Sequence, residues 1–287
     1  MKRPVSIARL LADGTPLVLP GVWDALSARL AARAGFRAVF VSGYALSATR
    51  LAAGDLGLIT QTEVLDAAAR VAAAVDVPVV VDADTGYGNE RNVERTVEEL
   101  IRIGAAGCFL EDQVWPKRCG HLEGKQVVPL EEYLPKLRAA LDARGATGFH
   151  VTARTDARAV HGLDDAIRRA QAFAAAGADA VFVEAPESAD EMARVRAAVP
   201  AIVALVANMV EGGRTPVRPA AELAAAGYGI VVAPLTGLLA STRALERAYA
   251  TLHRDGASQA VAAELLTFGE MNSLLGVGHL SPPGHRS

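Results

Sequence analysis

The sequence predicts an α/β protein folded as one closed (β/α)8 barrel (a TIM barrel), and three observations predict it. Four segments repeat one pattern: an apolar, mostly Ala-rich amphipathic stretch, a Gly, then a short apolar run. Four more apolar runs fill the gaps, so that eight short strands alternate with helical stretches, the pattern of a parallel sheet covered by helices. Eight such units in roughly 240 residues suit a closed barrel, which typically takes about 250.

The first strand is Leu17-Val18-Leu19, which runs into Pro20-Gly21-Val22-Trp23-Asp24. That turn lacks the Gly-rich fingerprint that opens a doubly wound sheet, so the open sheet is the lesser alternative. The first repeat, Ala31-Ala32-Arg33-Ala34-Gly35, leads into Ala38-Val39-Phe40-Val41, and Val77-Pro78-Val79-Val80-Val81 follows as the third strand. Ile101-Arg102-Ile103-Gly104 leads into Gly107-Cys108-Phe109-Leu110, and Phe149-His150-Val151-Thr152-Ala153 is the fifth strand. Ala174-Ala175-Ala176-Gly177 precedes Ala180-Val181-Phe182-Val183, Ile202 to Val206 is the seventh, and Ala224-Ala225-Ala226-Gly227 precedes Ile230-Val231-Val232. Each of the four Gly residues suits the left-handed position that ends a helix before a buried strand. One more helical stretch, 257–275, exceeds what eight units need and reads as an assembly helix appended to a single barrel domain spanning 1–287.

The chain has 287 residues, 51% of them apolar, which is ample for a large core, and its net charge of −3 offers no basic field for a nucleic-acid backbone. Met1-Lys2-Arg3 has the look of an export signal, but Arg9 and Asp13 interrupt the apolar run it needs. No stretch reaches the roughly 18 to 20 apolar residues that span a bilayer. Neither nucleic acid nor membrane is therefore expected as a partner. Cys108 and Cys119 are too few for a disulfide framework and point to a reducing, cytoplasmic setting.

Catalytic groups of such a barrel sit at the C-terminal ends of the strands. Those positions hold Ser42, Asp82 and Asp84, Glu111 and Asp112, Arg154 and Asp156, Glu184, and Asn208. One such residue alone reads as a helix cap; a ring of them, rich in carboxylates, reads as a site. Period-two alternation in Asp82-Ala83-Asp84 places both carboxylates on one face to share a cation, the alternative being Asp84 as a helix cap near Asn89. With Asp55 and Glu111 close by, an oxygen-only donor set favours Mg2+, or Mn2+, over zinc. Lys117-Arg118-Cys119-Gly120-His121 surrounds a thiol with cationic side chains, which favour the thiolate and tune Cys119 as proton donor or nucleophile; a basic surface loop is the plainer reading. Cys108 reads as an inert core residue. Arg154 suits a bidentate grip on a substrate carboxylate, or a salt bridge to Asp156 or Glu184. Asn208 to Gly213 offers backbone N–H groups for an anion.

These motifs resemble the isocitrate lyase and phosphoenolpyruvate mutase superfamily. The resemblance spans Pro20 to Ala25, Ser42-Gly43-Tyr44, Asp55 to Leu58, Asp82 to Gly88, Glu111-Asp112-Gln113, Lys117 to His121, Arg154-Thr155-Asp156, and Asn208 to Gly213. It implies Mg2+ at Asp82 and Asp84 with Asp55 and Glu111 nearby, and a last helix swapped between subunits of a homotetramer built as a dimer of dimers. Carbon–carbon lyases of that superfamily carry Cys in the loop, as here, whereas its phosphonopyruvate mutase and oxaloacetate decarboxylase branches typically do not. Methylisocitrate lyases have Asn-x-Thr-Glu-Phe-Gly where this chain has Asn208 to Gly213, and an Arg where it has Leu239. Losing an Arg that pairs with a third carboxylate makes a tricarboxylate a poor fit. The chain is more similar to the 2,3-dimethylmalate lyase and petal-death-type branch.

The resemblance therefore implies retro-aldol (Claisen-type) cleavage of a small 2-hydroxy dicarboxylate to a 2-oxo acid such as pyruvate and a short carboxylate. Cys119 is the expected acid, with Tyr44 and Glu184 as candidate bases. Ser42, Gly43, Tyr44, Gly120, His121, Arg154 and Asn208 are the expected substrate contacts. Oxaloacetate hydrolysis, methylisocitrate cleavage and carboxyphosphonoenolpyruvate mutation at the same site are the alternatives.

Overall fold

A computed structural model describes residues 5–277. Eight parallel strands close into a barrel in sequence order: β1 (Leu17–Val22), β2 (Val39–Val41), β3 (Val79–Asp82), β4 (Gly107–Glu111), β5 (His150–Thr155), β6 (Ala180–Val183), β7 (Ala204–Asn208) and β8 (Ile230–Ala233), with β8 pairing back onto β1. Gly35, Gly104, Gly177 and Gly227 take φ of 93°, 88°, 98° and 84° in the turns that precede their strands, a region closed to most side-chain-bearing residues. The expected runs overreach at their starts: in the seventh, Ile202 and Val203 lie outside, Ile202 at 93% exposure, and the strand begins at Ala204.

The strands read as near-continuous apolar runs because both faces are covered. Outward side chains such as Val79, Val81, Val151, Ala153 and Val181 pack against the helices. Inward ones, among them Leu17, Leu19, Phe40, Val80, Phe109, Phe182, Val206, Ile230 and Val232, fill the barrel. Phe40 and Phe109 stack at 4.8 Å between ring centroids and Phe109 meets Phe182 edge-on at 5.8 Å. This aromatic plug is the floor beneath the C-terminal mouth.

The chain divides into two compact units, Met1–Leu238 and Leu239–Ser287. The helix Thr236–Asp255 runs across that boundary. The stretch read as one helix over 257–275 is instead a 3-10 turn, Gln259–Glu264, and a separate helix, Phe268–Leu275. Thr267 explains the restart: its side chain caps Glu270 N–H while the Glu270 carboxylate returns to the Thr267 N–H, a reciprocal box that nucleates a new helix. Among the described residues, no helix is long and apolar enough to cross a membrane.

At the opposite end of the barrel from the mouth, His150 opens β5 fully enclosed, its Nε2 without a partner. Burial lowers its pKa to about 4, against the pull of Asp179, while Arg144 adds to the lowering. A group whose folded pKa is depressed leaves the unfolded chain binding the proton first. Stability from this residue is therefore complete above about pH 6.5 and is lost as pH falls toward 4, by about 3 kcal/mol. Urea titrations at pH 7 and pH 4.5 on wild type and His150→Asn check it, the variant showing the shallower loss.

Candidate active site

The ring of polar groups expected at the strand ends is assembled at the mouth. A cavity of about 40 Å³ is lined by Ser42, Tyr44, Asp55, Asp82, Cys119, Gly120, His121, Arg154, Glu184 and Asn208, over the aromatic floor and an apolar wall of Val210 and Leu235. Ser42 caps the helix Gly43–Leu51, its Oγ accepting from the Ala45 N–H at 3.3 Å, so the cap reading and the site reading hold for one residue. Tyr44 packs in the first turn of that helix against the apolar wall.

Asp82 and Asp84 do come together, but not by strand alternation. β3 ends at Asp82, and Asp84 turns into the left-handed region with φ 47°. The Asp84 N–H then donates to Asp82 Oδ1 at 3.2 Å. Gly43 is what admits the pair: a Cβ there would stand 2.9 Å from Asp82 Oδ2 and 3.5 Å from Asp84 Oδ1. Asn89, not Asp84, caps the following helix, Glu90–Arg102.

Lys117 is the residue whose role the sequence concealed. Its buried ammonium lies 2.7 Å from both Asp55 and Asp84. Burial, with the like charges of Asp82 and Asp55, nonetheless pushes the Asp84 carboxyl up to about 7 against the pull of Lys117. Glu111, enclosed at the end of β4, is pushed well above the carboxylate range by burial, though Arg154 stands 3.3 Å from its Oε2. Among the described residues, no group of three or more His, Cys, Asp or Glu side chains is gathered as a direct metal cage. The donors suit an ion that keeps its own waters: all are oxygens, and Glu111 Oε1 and the Tyr87 hydroxyl are buried with no hydrogen-bond partner.

Arg154 is nearly enclosed and touches three carboxylates: Asp156 at 2.9 Å, Glu111 at 3.3 Å and Glu184 at 3.2 Å. Its guanidinium lies 5.1 Å over the Phe182 ring. Glu184 also pairs with His121 at 3.3 Å and accepts from Asn208 Nδ2 at 3.2 Å. Burial pushes the Glu184 carboxyl up, but Arg154 and His121 outweigh it and bring it down to about 2. The His121 tautomer follows from its neighbours: Nδ1 accepts from the Arg214 N–H at 3.0 Å, so Nε2 carries the proton facing Glu184. The loop at 208–213 thus backs His121, and its Gly213 N–H is spent on the Val210 carbonyl.

The Cys119 environment differs from expectation. The cationic neighbours in sequence turn elsewhere: Lys117 to Asp55 and Asp84, His121 to Glu184. Burial pushes the thiol up to about 11, the His121 N–H opposing and Asp55 and Glu184 adding to the rise. Cys119 is a neutral thiol at the cavity wall, the form that donates a proton. Its own N–H donates to the Asp55 carbonyl at 2.9 Å, tying the loop to the carboxylate cluster. Gly120 lets the loop descend this far, since a Cβ there would stand 2.5 Å from Arg154 Nη2 and from Glu184 Cγ. Gly120→Ala should lower kcat/KM by about 100-fold, the scale of a misplacement of about 1 Å, while leaving the thermal midpoint near that of wild type. Steady-state kinetics beside a melting curve read both.

Comparison with known proteins agrees with this geometry. Residues 7–253 match the family model described as phosphoenolpyruvate phosphomutase. The chain is 46% identical over 274 residues to the petal death protein of Dianthus caryophyllus, covering 95% of this chain and 86% of the relative. It is 41% identical over 285 residues to 2,3-dimethylmalate lyase of Eubacterium barkeri, covering 99% and 98%. Oxaloacetate acetylhydrolase in complex with 3,3-difluorooxalacetate superposes with a TM-score of 0.90 at 34% identity, over 96% of this chain and 93% of that one. Phosphonopyruvate hydrolase bound to oxalate and Mg2+ superposes at 0.84 with 32% identity, over 94% and 93%. The chain belongs to the phosphoenolpyruvate mutase/isocitrate lyase superfamily, and it is an enzyme of that superfamily's lyase and mutase kind.

Proposed function

We propose that the enzyme cleaves a carbon–carbon bond of a 2-hydroxy dicarboxylate of the 2,3-dimethylmalate kind, releasing a 2-oxo acid such as pyruvate and a short carboxylate. The observation that carries this reading is that Cys119 and Arg154 line one small cavity, where burial pushes the thiol up to about 11. The cavity is small, about 40 Å³, where one water takes about 10–15 Å³ on that scale, which argues for a small substrate over a large one. Leu239 where methylisocitrate lyases have an Arg argues the same way against a third carboxylate.

Mg2+, or Mn2+, is the proposed cofactor: Asp82 and Asp84 would hold it with Asp55 and Glu111 nearby, and it would supply Lewis-acid polarisation of the substrate oxygens. Arg154 grips a substrate carboxylate, with Ser42 lining the same cavity and Gly43 against Asp82 as further contacts. Asn208 Oδ1, buried without a partner, accepts from the substrate hydroxyl. Glu184, ionised and held on three sides, orients Arg154, Asn208 and His121, which leaves Tyr44 as the better placed base. As the hydroxyl proton passes to the base, the oxygen's electron pair forms the carbonyl at C2, and the C2–C3 pair passes to C3 and is delocalised into its carboxylate. Cys119 protonates that carbon.

The test is a panel of 2-hydroxy dicarboxylates with Mg2+ and with EDTA, products identified by mass. Pyruvate from dimethylmalate, abolished by EDTA, is the expected result; oxalate from oxaloacetate alone would assign the hydrolase reaction instead, and activity in EDTA would sink the metal. Assembly as a homotetramer through 257–275 belongs to the same proposal, supported by the exposed apolar side chains of Leu266 and Phe268. A cytoplasmic location is proposed on the two free cysteines.

A further inference from the structure

We propose that Lys125 is a positioning residue, whose buried ammonium ties the Cys119-Gly120 turn to the Asp156 carboxylate that orients Arg154, so that the proton donor and the substrate grip are set together. The proposal rests on the assignment of Cys119 as the acid. Lys125 lies on the returning limb of the loop, where the Val114 N–H donates to the Gln126 carbonyl at 2.9 Å and Gln113 bridges Val127. Its Nζ donates to the Gly120 carbonyl and lies 3.1 Å from Asp156 Oδ1. Both ends of this link are enclosed, Lys125 at 2% and Asp156 at 0% side-chain exposure.

Asp156 is anchored to the barrel, and Gly120 is not. The Asp156 N–H donates to Asp112 Oδ1 at 3.0 Å, and Asp112 is held by Thr155 Oγ1 at 2.7 Å and by Arg169 at 2.9 Å. The Asp156 carboxylate in turn takes both arms of Arg154, Nε at 2.9 Å and Nη2 at 3.2 Å. Earlier in the loop, Gln113 braces Arg118 in both directions, Nε2 to the Arg118 carbonyl at 2.8 Å and Oε1 from its N–H at 3.0 Å. That brace fixes the approach to Cys119 from within the loop. Among the described residues, Lys125 alone reaches from Gly120 to the strand-end carboxylate that sets Arg154, using two of the three donors an ammonium carries. A desolvated ion pair is a poor source of stability, and its position between loop and grip is what it offers.

The experiment needs no substrate. The full-length protein is treated with iodoacetamide, and modification of Cys119 is followed by peptide mass against the buried Cys108. Lys125→Met should be modified at Cys119 at least about tenfold faster than wild type, the scale of losing a hydrogen bond to a charged group, with a fall in kcat. Lys125→Arg, which keeps the charge, should restore protection to within a few-fold. A folded Lys125→Met with Cys119 as slow as wild type overturns the proposal. If Lys125→Met does not fold, Lys125→Gln is read in the same way, because its amide still reaches Gly120 without the charge for Asp156. Failure of both to fold while Lys125→Arg folds also overturns it, since Lys125 is then a structural cation. Full activity in a Cys119→Ala variant would remove the acid assignment and leave the alkylation result standing.

Discussion

Cys119→Ala should lower kcat by about 100- to 10,000-fold, the range set by losing a positioned general acid, with KM within a few-fold of wild type. The two constants should separate because, in the proposed mechanism, the thiol acts only on the departing carbon, whereas Arg154 and Asn208 hold the substrate whether or not the proton is delivered. Stability should move little, within about 1 kcal/mol, because Cys119 is half-buried on a loop rather than in the core. Cleavage in D2O adds a second readout. Wild type should place deuterium on one face of the new C–H carbon, and the slow residual turnover of Cys119→Ala should place it on both, since bulk water then supplies it. A variant that keeps wild-type kcat, or stereospecific labelling, would assign the proton to another group. Cys119→Ser should recover little, because a serine hydroxyl is a far weaker acid than a thiol.

What the sequence disclosed here and what it hid follow from the range of each interaction. The strands and the turns before them were legible because the signals are local: an apolar run with a Gly that takes positive φ at Gly35, Gly104, Gly177 and Gly227. The barrel followed by counting units. Strand-end chemistry was legible for the same reason, since the fold itself carries Ser42, Asp82, Arg154, Glu184 and Asn208 to one mouth, with Glu111 against Arg154. The state of Cys119 was not legible. Reading Lys117 as its neighbour assumed that adjacency in sequence means adjacency in space, while the ammonium turns to Asp55 and Asp84, which arrive from other loops. Asp84 was found for an insufficient reason, as a turn with φ 47° rather than a strand pleat brings it to Asp82. Lys125 lay outside any motif of catalytic type, because a residue that holds another in place has no signature beyond its partner.

Arg154→Met should be the most damaging single change at the mouth, and two variants separate its two roles. Arg154 is the cation shared by Glu111, Asp156 and Glu184, all of them enclosed. Removing one partner of a buried ion pair typically costs about 3–5 kcal/mol because the remaining charge is left without compensation. Urea titration should show that loss at neutral pH. Its pH dependence has a definite sign: Glu184, whose folded pKa is depressed to about 2 from 4.5, contributes stability above about pH 4.5 that is lost as pH falls toward 2. Without Arg154, the largest of the influences that lower it, much of that depression is lost, so the gap between wild type and Arg154→Met should narrow as pH falls through 4.5. Arg154→Lys should recover part of the stability, because a positive charge returns to the cluster. It should recover little of kcat/KM, which is expected to fall by about 1,000-fold or more, as an ammonium is a point donor and the guanidinium fork matches a carboxylate with two parallel bonds. Should Arg154→Lys restore stability and activity in equal measure, Arg154 is only a structural counter-charge and the carboxylate grip belongs elsewhere in the ring.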